Sequence, residues 1–328
     1  MFVKYLDIKI KLKIIIIMKK RTVISALSLC GLIIWFASCE PKASTQESLS
    51  EVHSETEPFN YEPTVFPKDT TKLWMGEGNI ESDTVFIVGE GGPHNQLYFE
   101  FSGKTVWSTI PNFFNYYRVH IFQSTMLNKD IYHWREEFNE EMAILEADNS
   151  TEILHRAIDY WKRRGKTVIV AGTSFTAILI PHYLTTRGNH ADKYLMSAGR
   201  FDVPVERWKY YLRGVNSRYD TDGKTLFYAD TTRGPNPFRG AYYFKVTKVK
   251  QMIKGVLGRY RYTEELQDMD LSNLVVAYAT DDTKIGALSE SELEWLKNKN
   301  VPVYVTDGGH PGPDRKLVEL ITNGTVKL

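Results

Sequence analysis

Six short runs of apolar and largely β-branched residues constrain this chain more than any other feature. They are Thr84–Val88, Tyr117–Phe122, Thr167–Ala171, Tyr194–Ser197, Leu274–Tyr278 and Val301–Val305. Continuous rather than alternating, such runs suit strands covered on both faces, the condition met in parallel sheets. Helical patterns lie between them. Asn149 with Glu152 three residues on has capping-box spacing and predicts a helix start. Ile153, Leu154, Ala157, Ile158 and Trp161 form its apolar stripe, and Gly165 marks its end. Further helices are predicted over 175–186 and 289–299, the latter with Leu293 and Leu296 inward and Glu290, Glu292 and Glu294 outward. Strands alternating with helices predict an α/β fold, a mostly parallel sheet with helices on both faces.

Residues 202–270 break the alternation. They are rich in Tyr, Arg, Lys and Gly, hold no buried-strand run, and read as an insertion over the sheet edge. The insertion carries a basic cluster of Lys245, Lys248, Lys250, Lys254, Arg259 and Arg261, expected to be a solvated helix face rather than an anion site, which is the other reading. Its aromatics, among them Trp208, Tyr210, Tyr211, Tyr242, Tyr243 and Phe244, are expected to form the insertion's own small core; lining an acyl pocket is the other reading.

Charge divides the chain differently. The net charge of +1 gives no basic footprint for nucleic acid. Residues 1–39 hold seven Lys/Arg and one acid, so the remaining 289 residues carry 34 basic and 39 acidic side chains. Met18-Lys19-Lys20-Arg21 is a positive n-region, Thr22 to Phe36 a short apolar stretch, and Ala37-Ser38 precede Cys39. This is signal-peptide layout, too short for a comfortable membrane span, and Met18 is the expected start. An uncleaved membrane anchor is the alternative. Residues 40–60 are mostly polar and acidic and read as a tether. The expected organisation is a signal peptide over 1–38, a lipidated cysteine and tether over 39–60, and one folded unit over 61–328. Cys30 and Cys39 are the only cysteines, so 40–328 has no disulfide, no thiol nucleophile and no thiolate metal site.

Chemistry concentrates at the ends of the predicted strands. Gly172-Thr173-Ser174-Phe175-Thr176 lies between the clearest strand and a helix, the setting of a nucleophile elbow with a serine exposed on a strained turn. Thr176 stands where that pattern has glycine and is expected to loosen the turn. A serine needs a base and a carboxylate to orient the base. The strand over 274–278 leads into Asp281-Asp282, and that over 301–305 into Gly308-Gly309-His310. Val88-Gly89-Glu90-Gly91-Gly92-Pro93 ends the first strand and offers backbone N–H groups to a developing oxyanion. Each feature has a plainer reading: Ser174 as a helix N-cap, Asp282 as a turn residue, His310 as a loop histidine, Gly91-Gly92-Pro93 as a turn. All four fall in order at strand ends, which favours the catalytic reading. The other histidines form no metal-spaced pair, and no phosphate loop is present.

In these residues the chain resembles the α/β-hydrolase superfamily over roughly 80–200 and 270–328, with the insertion in the place of the family's variable lid. The resemblance implies a serine hydrolase cleaving an ester or amide bond of a small molecule, without cofactor or metal. It makes Ser174 the nucleophile, His310 the base and Asp282 the acid, with Asp281 as fallback. It assigns the oxyanion hole to Phe175 and to Gly92, with Gly91 second. Glu90 replaces the family's histidine and is expected to point away. The Gly-Gly-Pro loop resembles prolyl-aminopeptidase-type members; esterases and lipases stay equally open. Phe36-Ala37-Ser38-Cys39 resembles a bacterial lipobox, which implies a lipid anchor on Cys39 and a place in the cell envelope. A non-catalytic binding lipoprotein on the same scaffold is the competing expectation.

Overall fold

The structure, a computed structural model, describes residues 61–102, 105–132, 137–228 and 240–328, without the side chains of 101, 102, 114, 129 and 240–246. The signal peptide, Cys39 and the tether lie outside the described residues, as do the side chains of Lys245, Tyr242, Tyr243 and Phe244.

The described residues form nine strands: β1 (Trp74–Gly78), β2 (Thr84–Gly89), β3 (Tyr117–Ile121), β4 (Thr167–Thr173), β5 (Lys193–Ser197), β6 (Ser217–Tyr219), β7 (Leu226–Tyr228), β8 (Leu274–Ala279) and β9 (Val303–Thr306). Seven build one sheet in the order β1-β3-β2-β4-β5-β8-β9, and β6 and β7 pair as a separate hairpin. Only β1 runs antiparallel in the sheet, as an edge strand on β3. The longer helices are α1 (Glu140–Lys162), α2 (Phe175–Arg187), α3 (Val205–Leu212), α4 (Gly240–Gly258), α5 (Glu290–Asn298) and α6 (Gly312–Thr322). No helix among the described residues is long and apolar enough to cross a membrane.

The strands are buried on both sides because their residues feed two cores in alternation. Val85, Ile87, Val168, Val170, Tyr194, Met196, Leu274 and Val276 point to the face covered by α1, α2 and α5. Phe86, Val88, Ile169, Ala171, Leu195, Val275 and Ala277 point to the other, against Trp107, Phe113 and the α6 residues Leu317, Val318 and Leu320. This is the expected α/β architecture, a mostly parallel sheet with helices on both faces. β2 hydrogen-bonds β3 on one side and β4 on the other, so the connections reverse direction between β2 and β4, where open α/β sheets place their sites.

Three local expectations are corrected. The first long helix starts at Glu140, capped by Asn139 Oδ1 on the Met142 N–H, not at Asn149. Ser150 and Thr151 sit inside it because their hydroxyls bond back to the carbonyls of Glu146 and Ala147. Glu292 of α5 is completely buried rather than outward. It closes a capping box with Ser289 and reaches Arg200. The insertion's aromatics do meet one another, Tyr210 stacking on Tyr228 and Arg207 lying over Tyr211 and Tyr219, but its apolar packing is not all its own: Val249, Met252, Ile253, Val256 and Leu257 of α4 pack with Ala143 and Ala147 of α1 and with Phe175, Ile178 and Leu179 of α2. The helix that follows Ser174 thus forms the floor under the insertion.

Candidate active site

The serine turn is built by close packing. At Gly172 a Cβ would lie 2.7 Å from Ile180 Cδ1 and 3.1 Å from the Thr176 backbone, so a side chain there would make Ile180 and the first turn of α2 give way. Ser174 then takes φ 55° and ψ −103°, a strained conformation for a residue with a side chain. Its N–H donates to Ser197 O at 3.0 Å and its carbonyl accepts from Ile178 at 3.1 Å, but its hydroxyl caps no helix N–H. The N-cap reading of Ser174 therefore lacks its defining hydrogen bond.

Thr176 does not loosen the turn, contrary to expectation. A Cβ on Gly89 would collide with Thr176 Cγ2, so the bulk that the elbow pattern excludes is received by a glycine on the neighbouring strand. Gly89 lies opposite Gly172 in the β2–β4 register. Thr176 Oγ1 also donates to Glu90 O at 2.7 Å, tying elbow and glycine loop together. Glu90 points away from the serine: its carboxylate accepts from the N–H groups of Tyr98 and Phe99 at 2.6 and 2.9 Å. Burial pushes its pKa above the usual range, against those two hydrogen bonds.

Gly91 lies directly against the serine, where a Cβ would stand 3.4 Å from Ser174 Cβ and 3.8 Å from Oγ. Gly92 instead faces Gln123, whose side chain a Cβ there would strike. Gln123, buried and absent from the sequence reading, braces the loop. Its Nε2 donates to the carbonyls of Gly91 at 2.8 Å and Glu90 at 3.2 Å, and its Oε1 accepts from His94 N at 2.8 Å. Phe175 opens α2, its side chain fully buried and its N–H among the helix's unpaired first turn.

The two aspartates after β8 divide their work. Asp281 accepts from the N–H groups of Gly308 (3.1 Å) and Gly309 (2.9 Å), both glycines at positive φ, and so shapes the loop that carries the histidine. Asp282 Oδ2 lies 2.8 Å from His310 Nδ1. Burial raises the Asp282 carboxyl, but the His310 hydrogen bond and charge and the N–H groups of Ile285 and Lys284 more than offset it, leaving it below its ordinary range. An ionised carboxylate only accepts, so the shared proton belongs to Nδ1 and Nε2 is left as the acceptor. Asp282, not Asp281, is the histidine's partner.

A cavity of about 320 Å³ adjoins the elbow, lined by Gly91 and Thr173 and by Val88, Tyr98, Val106 and Trp107. Asp314 also lines it; burial lifts its carboxyl above the usual range while it accepts from Thr173 Oγ1 at 2.7 Å. Among the described residues no group of three or more His, Cys, Asp or Glu is placed to hold a metal ion. The geometry supplies a strained serine, a carboxylate-held imidazole and close glycine backbone at one sheet edge, the parts that acyl transfer uses.

No family model matches the chain, and no curated protein matches it. Solved structures do. A serine hydrolase from Cycloclasticus zankles is 14% identical, with 79% of this chain and 97% of that one covered and a TM-score of 0.45. A hydrolase from Oleispira antarctica is 11% identical over 78% and 94%, TM-score 0.44. A lipase-esterase related protein from Clostridium acetobutylicum is 13% identical over 76% and 99%, TM-score 0.44.

Proposed function

We propose that this chain is a serine hydrolase that cleaves an ester or amide bond through an acyl-enzyme on Ser174. The observation that carries the reading is the serine itself: a side-chain-bearing residue held at φ 55°, its hydroxyl unused as a cap, beside a glycine loop. His310 Nε2 takes the hydroxyl proton as Ser174 Oγ attacks the carbonyl carbon. Asp282 holds the imidazole by Nδ1 and stabilises its charged form. The N–H of Phe175 and those of the Gly91-Gly92 loop receive the developing oxyanion. The imidazolium then protonates the departing alcohol or amine, and water attacking the acyl-enzyme restores Ser174. Thr176 and Glu90, the departures that favoured a non-catalytic scaffold, are both accounted for by local packing and hydrogen bonds. Anchorage to the cell envelope by a lipid on Cys39 belongs to the same proposal and rests on the sequence of residues 18–39.

A fluorophosphonate probe labels the wild-type protein and leaves Ser174→Ala unlabelled. Turnover of activated esters falls by at least about a thousandfold in that variant. Labelling that persists in Ser174→Ala refutes the assignment.

A further inference from the structure

The basic cluster of the insertion is not one solvated face. Arg259 pairs with Glu140 and Arg261 with Asp202, as surface cations do. Lys250 and Lys254, one turn apart on α4, behave otherwise. Lys250 Nζ lies 3.0 Å from His94 Nδ1. His94 stands two residues beyond Gly92 and also lines the cavity at the elbow. Lys254, one turn on from Lys250, lies within reach of the charges of Arg207, Lys250 and Lys284. Lys284 comes from the loop of Asp282, whose Oδ1 accepts the Lys284 N–H at 2.7 Å. Arg207 is buried beneath, its guanidinium given only to neutral oxygens: Ser217 Oγ and the carbonyls of Ser217, Lys284 and Ile285.

Among the described residues no carboxylate pairs with Lys250, Lys254, Lys284 or Arg207. Lys250 and Lys254 are half-buried over the buried Arg207, while Lys284 is exposed. Holding half-buried like charges together without a counter-charge is unfavourable, and a fold that needed only packing on this side of α4 would place apolar side chains there. The cations flank both loops that carry the proposed chemistry, and three of them are ammonium groups on long, adjustable stems. We propose that Lys250, Lys254 and Lys284, beside His94, form a subsite for an anionic group, carboxylate or phosphate, carried by the substrate that Ser174 cleaves. This rests on the hydrolase reading for its substrate, though not for its binding. Desolvation, with the neighbouring cations, pulls Lys254 down to about 7, and burial pulls Lys250 down to about 8. A bound anion therefore also draws protons onto the cluster.

The test compares p-nitrophenyl hemiglutarate with its methyl ester, two substrates that differ in one charge. The wild-type kcat/KM favours the anion by about tenfold or more, and added salt erodes that preference. In the Lys250→Gln/Lys254→Gln double variant the ratio falls to within about threefold of one, whereas Lys297→Gln, an exposed lysine lost from α5, leaves it unchanged. A parallel arm titrates glutarate and inorganic phosphate into Ser174→Ala by calorimetry, with and without the two lysine substitutions, and tells which anion the cluster takes. If esters are cleaved with no charge preference and neither anion binds, the subsite is overturned and the hydrolase reading stands. If nothing is cleaved but anion binding depends on the lysines, the hydrolase reading falls and the subsite stands. Binding indifferent to the lysines overturns the subsite in either case.

Discussion

Two groups of buried or half-buried cations in this protein are treated in opposite ways. Behind β5, Arg200 donates to Glu292 at 2.8 Å and to the Tyr219 hydroxyl at 3.0 Å. Glu292 also accepts from the N–H groups of Phe201, Asp202 and Ser289 and from the Ser289 hydroxyl, all at 2.8–2.9 Å. Burial drives the Glu292 carboxyl upward, but Arg200 and those donors hold it below its usual range. On the inner side of α4, Lys250 and Lys254 meet a histidine and further cations, and both pKa values are drawn down. A charge enclosed by its complement is part of the architecture, because the desolvation penalty is met inside the chain. A charge without its complement is stabilised only when something from outside supplies it.

The largest effect expected from this contrast is at the paired site. Glu292→Gln leaves Arg200 buried without its counter-charge and sets an amide NH2 donor against N–H donors at one of the two oxygen positions. Breaking such a pair costs about 3–5 kcal/mol, read as a lower urea midpoint. Replacing the unpaired cation has the opposite sign. Lys254→Met stabilises the free protein by about 1–2 kcal/mol at pH 6, and the gain fades as pH rises. Below about 7 the lysine is charged in both folded and unfolded chains, so the full penalty is present. Between about 7 and its ordinary 10.5 the unfolded chain holds a proton that the folded one has shed, so wild-type stability climbs with pH. Above 10.5 both forms are neutral and the variant has no advantage. The charges that act on Lys254 are those of Arg207, Lys250 and Lys284, all cationic, so none of them reverses the sign. Urea melts at pH 6, 8 and 10 separate the two sites; destabilisation by Lys254→Met at pH 6 breaks the contrast.

How much of this was legible in the sequence follows the range of the interactions. The strands β2, β4 and β8 were readable because burial on both faces writes itself as a local run. β1 was not, since Trp74–Gly78 holds two glycines and gains its place only by pairing with β3. The turn at Ser174 was readable from Gly172 and its position between strand and helix. The tolerance of Thr176 was not, because the room for it is a missing Cβ at Gly89, on another strand. Gln123 carries no local signal; only the folded loop shows that it holds Glu90, Gly91 and His94. Glu292 was assigned to solvent by helical periodicity, which knows nothing of Arg200 arriving from the end of β5. The lysines of α4 were misjudged for the same reason: a charge run looks solvated until the elements packed against it are known.

The finest distinction lies between the two lysines. The charges acting on Lys254 are all cationic, whereas Lys250 donates to His94 Nδ1, so the removal of Lys250 changes stability less, by about 0.5 kcal/mol at pH 6. The sharper readout is the histidine. His94 is pushed down to about 4, first by burial and then by Lys250, Lys254 and Lys284 in that order. Lys250→Met removes the nearest charge and a hydrogen bond that exists only to the neutral ring, so the His94 pKa rises. It stays below the ordinary 6.5, because the larger cause, burial, is untouched. Ring-proton NMR titration of His94, assigned by its loss in His94→Gln, measures the shift. Glutarate added to the wild-type protein moves the same signal upward, since an anion on the ammonium groups cancels the repulsion that substitution removes. A His94 pKa indifferent to both changes separates Lys250 from the glycine loop, and with it the anion subsite from the chemistry at Ser174.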